Sequence, residues 1–350
     1  MVLLALLSAI AACSEPVALG QSLASAGGQA SAGSVGAPER VWRLALSTYT
    51  PPEHHVTRVL NEYAGAVDKA TGGRVKITIY PNETLTTAAQ TYDAVAKGVV
   101  DMGFSFFAYN PGRFPLMEVV DLPLPGVRNS TQASLEAWAV YQKFRPEELS
   151  DIKLLGVLSM AGGTLFTNKP ITRLDDVAKQ QIRGSGNDVG VIDALGGSPV
   201  AMPITEAYVA LQKGICDGTL TDDAAMLSYH FGDVVKNKVA FPGGLRQVTA
   251  WYGMNLGVWN SMPPDIQNAI TEVSTRYIKI FGESRDEENR LGARYLVQAG
   301  VRTTTLSPAE ISKWQEALQP FREDYVKTKT AMGLPAKEAL DYAIAALQRY

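Results

Sequence analysis

Two segments of this chain share one pattern, in which a helix ends at Lys-Gly and a short strand begins at once. The first reads Lys-Gly-Val-Val-Asp-Met-Gly over residues 97–103, and the second reads Lys-Gly-Ile-Cys-Asp-Gly over residues 213–218. Around the first, apolar periodicity gives strand, helix, strand, helix, strand over residues 41–106, which predicts a parallel sheet covered by helices. The repetition predicts an α/β protein of two similar lobes, each a β-sheet flanked by helices.

The ends of the predicted strands locate a candidate site. In parallel sheets, ligands bind beyond the carboxyl ends of the strands. The first strand runs into Thr48 and Tyr49, and the third runs into Ser105 and Phe106. We therefore expect these four residues near a cleft between the lobes, with core packing as the alternative for the aromatic ones.

Two further segments are predicted to link the lobes. Residues 249–259 form a long extended stretch that carries Trp251, Tyr252 and Asn255 and crosses back to the first lobe. A long helix follows from Pro264, because proline is favoured in the first turn of a helix. Gly162 and Gly163 follow another strand, which indicates either a hinge crossing or a close approach of backbone to a ligand.

Composition excludes several functions. The 350 residues suffice for two domains, and 46% apolar with 19% charged residues is typical of globular proteins. A net charge of −3 without a basic block argues against nucleic acid as a partner. Only three histidines occur, and adjacent His54 and His55 point apart on a regular element, so we expect no metal site.

An enzyme is the main rival class. Residues 183–190 (Arg-Gly-Ser-Gly-Asn-Asp-Val-Gly) loosely match a dinucleotide-binding turn, but the third glycine comes one residue late. The sequence has no Gly-x-Ser-x-Gly elbow, Walker lysine or metal-binding His/Cys spacing. We therefore expect a protein that is not an enzyme and uses no cofactor.

The amino terminus has the pattern of an export signal. Residues 1–12 are an apolar run too short to span a bilayer, and small residues directly before Cys13 resemble a bacterial lipoprotein cleavage site. This predicts a signal over residues 1–13 with Cys13 lipidated, although the usual positive start is missing and an ordinary secretory signal is the alternative. Residues 14–40 are rich in Gly, Ala and Ser and predict a flexible tether. Cys216 then has no disulfide partner, and we expect it to be buried.

The turn at residues 182–188 (Ile-Arg-Gly-Ser-Gly-Asn-Asp) predicts an anion site. Asn187 and Asp188 favour a helix start, and the free amides of that start would lie beside Arg183 at the end of a strand. A guanidinium grips a carboxylate with two parallel hydrogen bonds. The alternative is a surface turn in which Arg183 pairs with a nearby acid.

Taken in order, these patterns resemble the solute-binding proteins of tripartite ATP-independent periplasmic (TRAP) transporters over residues 42–305. The motifs that carry the resemblance are Gly72-Gly73-Arg74-Val75, Lys97 to Gly103, Pro111-Gly112-Arg113-Phe114-Pro115, Ile182-Arg183, Ala194 to Val200, Glu206 to Gly214, Asp217-Gly218, Met254-Asn255 and Pro263-Pro264-Asp265. Their order and spacing make the resemblance specific.

The resemblance implies a type II-like periplasmic binding protein that closes on a small organic acid and delivers it to a small and a large membrane subunit. It implies lobe I at residues 41–163 plus 251–285, and lobe II at residues 164–250 plus 286–350. Arg183 would grip the carboxylate. Many acid-binding members carry a further arginine where this chain has Gly162 and Gly163, so a second carboxylate lacks an obvious partner. A monocarboxylate with an aromatic or apolar body fits better.

The remaining candidates for ligand contact come from the second lobe and the crossing strand. Tyr208, Thr221 and Asp222 belong to the second lobe, beside the three candidates of the crossing strand. For each aromatic residue, core packing is the alternative. We expect a periplasmic monomer. Alternatives within the same fold are a receptor for an amine or a neutral solute, or one that serves a sensor or an ABC transporter.

Overall fold

The computed structural model describes residues 40–178 and 180–350. The predicted signal, the lipidation of Cys13 and all but the last residue of the tether lie outside the described residues. Within the described part, none of the helices is both long and apolar enough to cross a membrane.

The first sheet begins with three strands and two helices, as the alternation predicts. Strand β1 pairs in parallel with both β2 and β3. The elements are β1 (Trp42–Thr48), α1 (His55–Ala70), β2 (Val75–Tyr80), α2 (Thr91–Ala96) and β3 (Met102–Phe106). Helix α1 buries Val56, Leu60 and Val67 completely, and burial of each such side chain stabilises the fold by about 1.5–3 kcal/mol.

Two long strands join the halves of the molecule. The first is β4 (Ile152–Thr167), which follows α3 (Ser130–Phe144), and the second is β9 (Arg246–Asn255). They pair with each other antiparallel, with a register shift between Met160 and Gly163, and β9 also pairs with β3. Beyond the shift, β4 continues into the second sheet, so the two glycines lie where the strand crosses between lobes.

The second sheet repeats the logic of the first. Strand β5 pairs in parallel with β6 and β7, and β7 joins β4, so the strand order is β2-β1-β3-β9-β4-β7-β5-β6. Strands β8 and β10 pair with each other beside β4. The elements are β5 (Gln181–Gly184), α4 (Asp188–Ala194), β6 (Ser198–Ala201), α5 (Ile204–Gln212), β7 (Gly218–Thr221), α6 (Asp223–Ser228), β8 (Asn237–Ala240) and β10 (Arg302–Thr305).

A 35-residue helix, α8 (Pro264–Gln298), packs against both lobes. It contacts α1 and α3 of the first lobe and α6 of the second. Two glycines permit this: a Cβ on Gly282 would lie 2.5 Å from the Cα of Thr131, and one on Gly292 would lie 2.0 Å from the carbonyl oxygen of Asp223. The prediction of a long helix crossing both lobes is confirmed.

The carboxy-terminal helices pack on both lobes. The last elements are α7 (Leu256–Asn260), α8 (Pro264–Gln298), α9 (Pro308–Ala331) and α10 (Ala336–Leu347). Helix α9 packs on α4, but α10 packs on α3 of the first lobe. The small buried face of Ala336, Ala339 and Ala343 permits this close packing. The tail, which the sequence analysis assigned to the second lobe, therefore contacts elements of both lobes.

Candidate ligand-binding site

A cavity of about 20 Å³ lies where the strand ends of the two lobes meet. The first lobe contributes mainly aromatic side chains, and the second lobe, the crossing strands and α8 contribute three arginines. The lining consists of Tyr49, His54, Phe106, Tyr109, Met160, Arg183, Ser185, Ile204, Thr221, Ala225, Tyr229, Arg246, Val248 and Arg285.

Arg183 lies in strand β5 with 1% of its surface exposed. Its Nε and Nη2 donate to the carbonyl oxygen of Met202 at 3.1 and 2.8 Å. Within residues 40–178 and 180–350, no carboxylate lies within salt-bridge distance of this guanidinium, and Nη1 makes no hydrogen bond. Burial lowers the pKa of Arg183, whereas nearby Tyr109 and Asp188 act to raise it. Arg183 is therefore a fixed, buried cation facing the cavity, not the surface-turn arginine of the alternative.

The helix start beside Arg183 exists, and its first N–H groups are used within the turn. Asp188 opens α4, and its N–H donates to the carbonyl oxygen of Ser185 at 3.1 Å, as the N–H of Val189 donates to that of Gly186 at 3.2 Å. The Oδ2 of Asp188 accepts from the N–H of Ser185 at 3.0 Å, and its Oδ1 accepts from Arg246 Nε at 2.5 Å. The chain's own carboxylate thus lies at this turn, and the expectation that the amides serve a ligand stays a prediction.

Arg246 is a cavity residue that the sequence analysis missed. It opens β9 opposite Gly163 of β4, where a Cβ would lie 2.3 Å from the Cγ of Arg246. Burial lowers the pKa of Arg246, but Asp188 and Asp222 outweigh burial and the net shift is upward. The signal in the sequence is an arginine inside an otherwise extended, largely uncharged stretch after two glycines.

Arg285 of α8 is also buried in the wall, but each of its three nitrogens has a hydrogen-bond partner. Nε and Nη2 donate to the two carboxylate oxygens of Asp222, and Nη1 lies 2.9 Å from His55 Nε2. Asp222 also accepts from the N–H of Ala225 and so caps α6. Asp222 thus holds Arg285 and a helix end, and its side chain is not part of the cavity lining.

The histidines next to this ion pair are neutral. Burial lowers the pKa of His54 and of His55 well below the usual value, and the charge of Arg285 lowers both further. His54 caps α1 through Nδ1, which accepts from the N–H of Val56 at 3.2 Å. The pair therefore adds no charge to the cavity.

Aromatic rings form another part of the cavity lining. Tyr49, Phe106 and Tyr109 contact one another with ring centroids 5.3–5.7 Å apart. Burial raises the pKa of Tyr49 and of Tyr109, so both phenols stay neutral. The hydroxyl of Tyr229 is buried in the same lining and has no hydrogen-bond partner among the described residues. It is a candidate ligand contact that the sequence analysis missed.

Four of the predicted contact residues line the cavity together: Arg183, Tyr49, Phe106 and Thr221. Two candidates at strand ends do not, because their hydroxyls are used within the first lobe. Ser105 Oγ donates to the carbonyl oxygen of Ala88 at 2.6 Å, and Thr48 Oγ1 lies 2.9 Å from Thr50 Oγ1.

The candidates on the crossing strand lie away from the cavity. Side chains of a strand alternate between faces, and Arg246 and Val248 are the β9 residues at the cavity. Trp251 lies on the opposite face against Tyr92, and Tyr252 donates to the carbonyl oxygen of Ser274 deep in the first lobe.

Asn255 and Tyr208 have structural contacts. The Asn255 side chain accepts from the N–H of Val258 at the start of α7 and donates to the carbonyl oxygen of Val95. Tyr208 is partly buried and packs near Phe231. Neither residue lines the cavity.

Two α/β lobes joined by crossing strands, with a cationic cavity between them, define the class of two-lobed solute receptors. The sequence profile of the bacterial extracellular solute-binding proteins, family 7 (DctP), matches residues 46–329. The chain belongs to this family, whose members are transport receptors of TRAP systems and not enzymes. Membership confirms the predicted family, fold class and extracytoplasmic character.

Similar proteins support this assignment. The C4-dicarboxylate-binding periplasmic protein DctP of Rhodobacter capsulatus is 26% identical over 288 residues, which cover 78% of this chain and 83% of the relative. The crystal structure of a TRAP periplasmic solute binding protein from Bordetella bronchiseptica with bound (R)- and (S)-mandelate is 29% identical, with a TM-score of 0.82, and the match covers 88% of this chain and 99% of that one. A TRAP solute binding protein from Rhodoferax ferrireducens, in complex with copurified benzoate, shares the fold with a TM-score of 0.83. It is 24% identical, and the match covers 88% of this chain and 98% of that one.

Proposed function

We propose that this chain is the receptor of a TRAP transporter for a small organic monocarboxylate with an aromatic or apolar body. The single observation that carries the proposal is the charge balance of the cavity. Three guanidiniums line it, two are paired with Asp188 and Asp222, and Arg183 has no acid partner among the described residues. A buried charge is stable only when it is compensated, and one carboxylate compensates Arg183.

The same balance disfavours the alternatives. An ammonium ligand would lie beside an uncompensated guanidinium, and the repulsion between the two positive charges would weaken binding. A dicarboxylate would bring two negative charges to one unpaired cation. The relative from Rhodobacter capsulatus is named for C4-dicarboxylates, so the ligand class differs within the family. The ligand class of this chain therefore has to be inferred from its own cavity.

The body of the ligand is inferred from the aromatic part of the cavity lining. Tyr49, Phe106, Tyr109 and Tyr229 present aromatic surface, which binds apolar and aromatic groups. The Bordetella bronchiseptica protein, which holds mandelate, an aromatic monocarboxylate, supports this inference.

Access to the cavity requires the lobes to separate. A volume of about 20 Å³ holds about one water molecule, and an aromatic acid is far larger. Contacts between the lobes close the site: the N–H of Ile204 donates to Tyr109 Oη at 3.4 Å, and Gly186 lies directly against Ala108. Separation and closure of lobes around a ligand is the known behaviour of binding proteins.

Delivery to the membrane subunits is part of the proposal. The closed, liganded form would present both lobes to one small and one large membrane subunit of a TRAP transporter, in the periplasm. A lipid at Cys13 would keep the receptor at the membrane, as the amino-terminal pattern predicts.

The test is a thermal-shift screen of the purified protein against mono- and dicarboxylates, aromatic acids, amines and neutral solutes. A ligand raises the melting temperature by mass action on the folded state. We expect a shift with monocarboxylates that is lost in Arg183→Ala and kept in Arg302→Ala, a change at an exposed arginine of β10. Shifts with amines or neutral solutes that survive Arg183→Ala would overturn the proposal.

A further inference from the structure

Arg246 brings a second set of free donors to the cavity. It is 5% exposed, and its only hydrogen bond within the described part of the chain runs from Nε to Asp188. Both Nη atoms therefore lack protein acceptors there. A guanidinium carries five N–H donors, and those on the Nη atoms of Arg246 are free to bind an acceptor in the cavity that this residue lines. A ligand in the cavity is placed to supply an acceptor.

The surroundings of Arg246 select the kind of acceptor. Its charge is already balanced by Asp188, with which it forms a buried ion pair. Asp222 is a further carboxylate near enough to act on it. A second ligand carboxylate at Arg246 would be repelled by Asp188 and Asp222, since like charges repel strongly at low dielectric. An uncharged oxygen takes the same hydrogen bonds without that repulsion.

Gly163 sets the position of this guanidinium. The two residues are partners in the β4–β9 ladder, and a Cβ at position 163 would lie 2.3 and 2.8 Å from Cγ and Cδ of Arg246. Only a residue without a side chain lets the arginine lie across β4. The donors of Arg246 therefore reach the same small cavity as Arg183, so both act on neighbouring atoms of one ligand.

We propose that Arg246 determines specificity by binding an uncharged oxygen close to the carboxylate that Arg183 holds. The preferred ligands are then 2-hydroxy or 2-oxo acids, ahead of both the unsubstituted acids and the dicarboxylates. This inference rests on the proposed function, because it needs a carboxylate at Arg183.

The test compares matched acids by titration calorimetry on the full chain: mandelate with phenylacetate, lactate with propanoate, and malonate as the dicarboxylate. We expect the native protein to prefer the hydroxylated member of a pair by about tenfold or more, since a site built to hydrogen-bond a hydroxyl rejects the analogue without it. The variant Arg246→Gln/Asp188→Asn removes the ion pair without leaving a lone buried charge. It should bring the affinity ratio within a pair close to one.

Arg246→Lys and Arg302→Gln serve as controls. Lysine keeps the charge but loses the second Nη, so an intermediate ratio is expected, and the exposed Arg302→Gln should leave the ratio unchanged. An unchanged ratio in the double variant, no preference in the native protein, or tightest binding of malonate would overturn the inference. The inference alone fails if Arg183→Ala abolishes binding of all acids while the Arg246 variants keep the native ratio. The proposed function fails with it if no acid binds, or if acids bind equally well to Arg183→Ala.

Discussion

Arg183 and Arg285 lie in the wall of one cavity, with 1% and 2% of their surfaces exposed, but their surroundings are opposite. Arg285 is held by two carboxylate oxygens of Asp222 and by His55. Arg183 has only the carbonyl oxygen of Met202, among the residues described. A buried ion pair belongs to the stability of the folded chain, whereas a buried cation without an acid partner is a cost that a bound anion offsets.

Breaking the Arg285 pair should have the largest effect on stability. Asp222→Ala leaves a buried guanidinium without its carboxylate and removes the cap of α6, so the free energy of unfolding should fall by about 3–5 kcal/mol. Urea denaturation without ligand measures it. Glu287→Ala, which breaks the exposed pair between Glu287 and Arg290, is the matched control and should change stability by no more than about 1 kcal/mol. An equal effect of both variants would contradict the contrast.

The opposite change at Arg183 should stabilise the ligand-free protein. Arg183→Met replaces an uncompensated buried charge by an apolar side chain of similar length, and we expect a gain of about 1–2 kcal/mol in the free energy of unfolding. The same variant should bind monocarboxylates at least about a hundredfold more weakly, because a charge-assisted, two-pronged contact is lost. Denaturation and calorimetry on one preparation report both quantities. A destabilised variant would mean that Arg183 is structural, like Arg285.

The position of Arg285 depends on how closely α8 approaches the second lobe. In Gly292→Ala the new Cβ would lie 2.0 Å from the carbonyl oxygen of Asp223, so α8 must move away from α6 and strain the Arg285–Asp222 pair. We expect a loss of about 1–3 kcal/mol. Gly65→Ala in α1 is the control: it meets no atom within 4 Å and should raise stability by about 0.5–1 kcal/mol. Denaturant midpoints compare the two.

The smallest expected effect is a pH dependence at Asp121. Burial raises the pKa of Asp121 to about 8, with Thr249 and Arg246 opposing the shift. The folded state therefore holds a proton that the unfolded chain releases at far lower pH, so the contribution of Asp121 to stability falls as pH rises toward 8. The pKa values of His54 and His55 are lowered in the fold, so these residues reduce stability when the pH falls. That effect sets in below the pKa of an unfolded histidine, about 6.5.

The window between pH 6.5 and 8 isolates Asp121 from the histidines. Over this pH range, the free energy of unfolding of the native protein should fall by up to about 2 kcal/mol. Asp121→Asn should make this dependence on pH weaker. Burial also raises the pKa of Glu136, so part of the pH dependence of stability remains in the variant. Urea midpoints at the two pH values measure the change. A slope identical in both proteins would show that Asp121 is ionised in the fold.

Local patterns were enough to predict most of the elements. The periodic stretches that predict β1, α1 and β2 form as expected, and Ser307 caps α9 through a hydrogen bond from the N–H of Glu310. The helix start at Asp188 and the burial of Cys216 are also observed. These features depend on neighbours within a few residues, whose chemistry is directly visible in the sequence.

The sequence by itself determined the α/β alternation, the doubled lobe and the candidate cation Arg183. Only the tertiary structure decided which acids neutralise which bases. Arg246 meets Asp188 across 58 residues, and Arg285 meets Asp222 across 63. Periodicity encodes how deeply a side chain is buried, but the strand crossing at Gly163 and the approach of α8 decide what it contacts. For that reason the arginine left without an acid partner, on which the proposed function depends, was identified only from the folded chain.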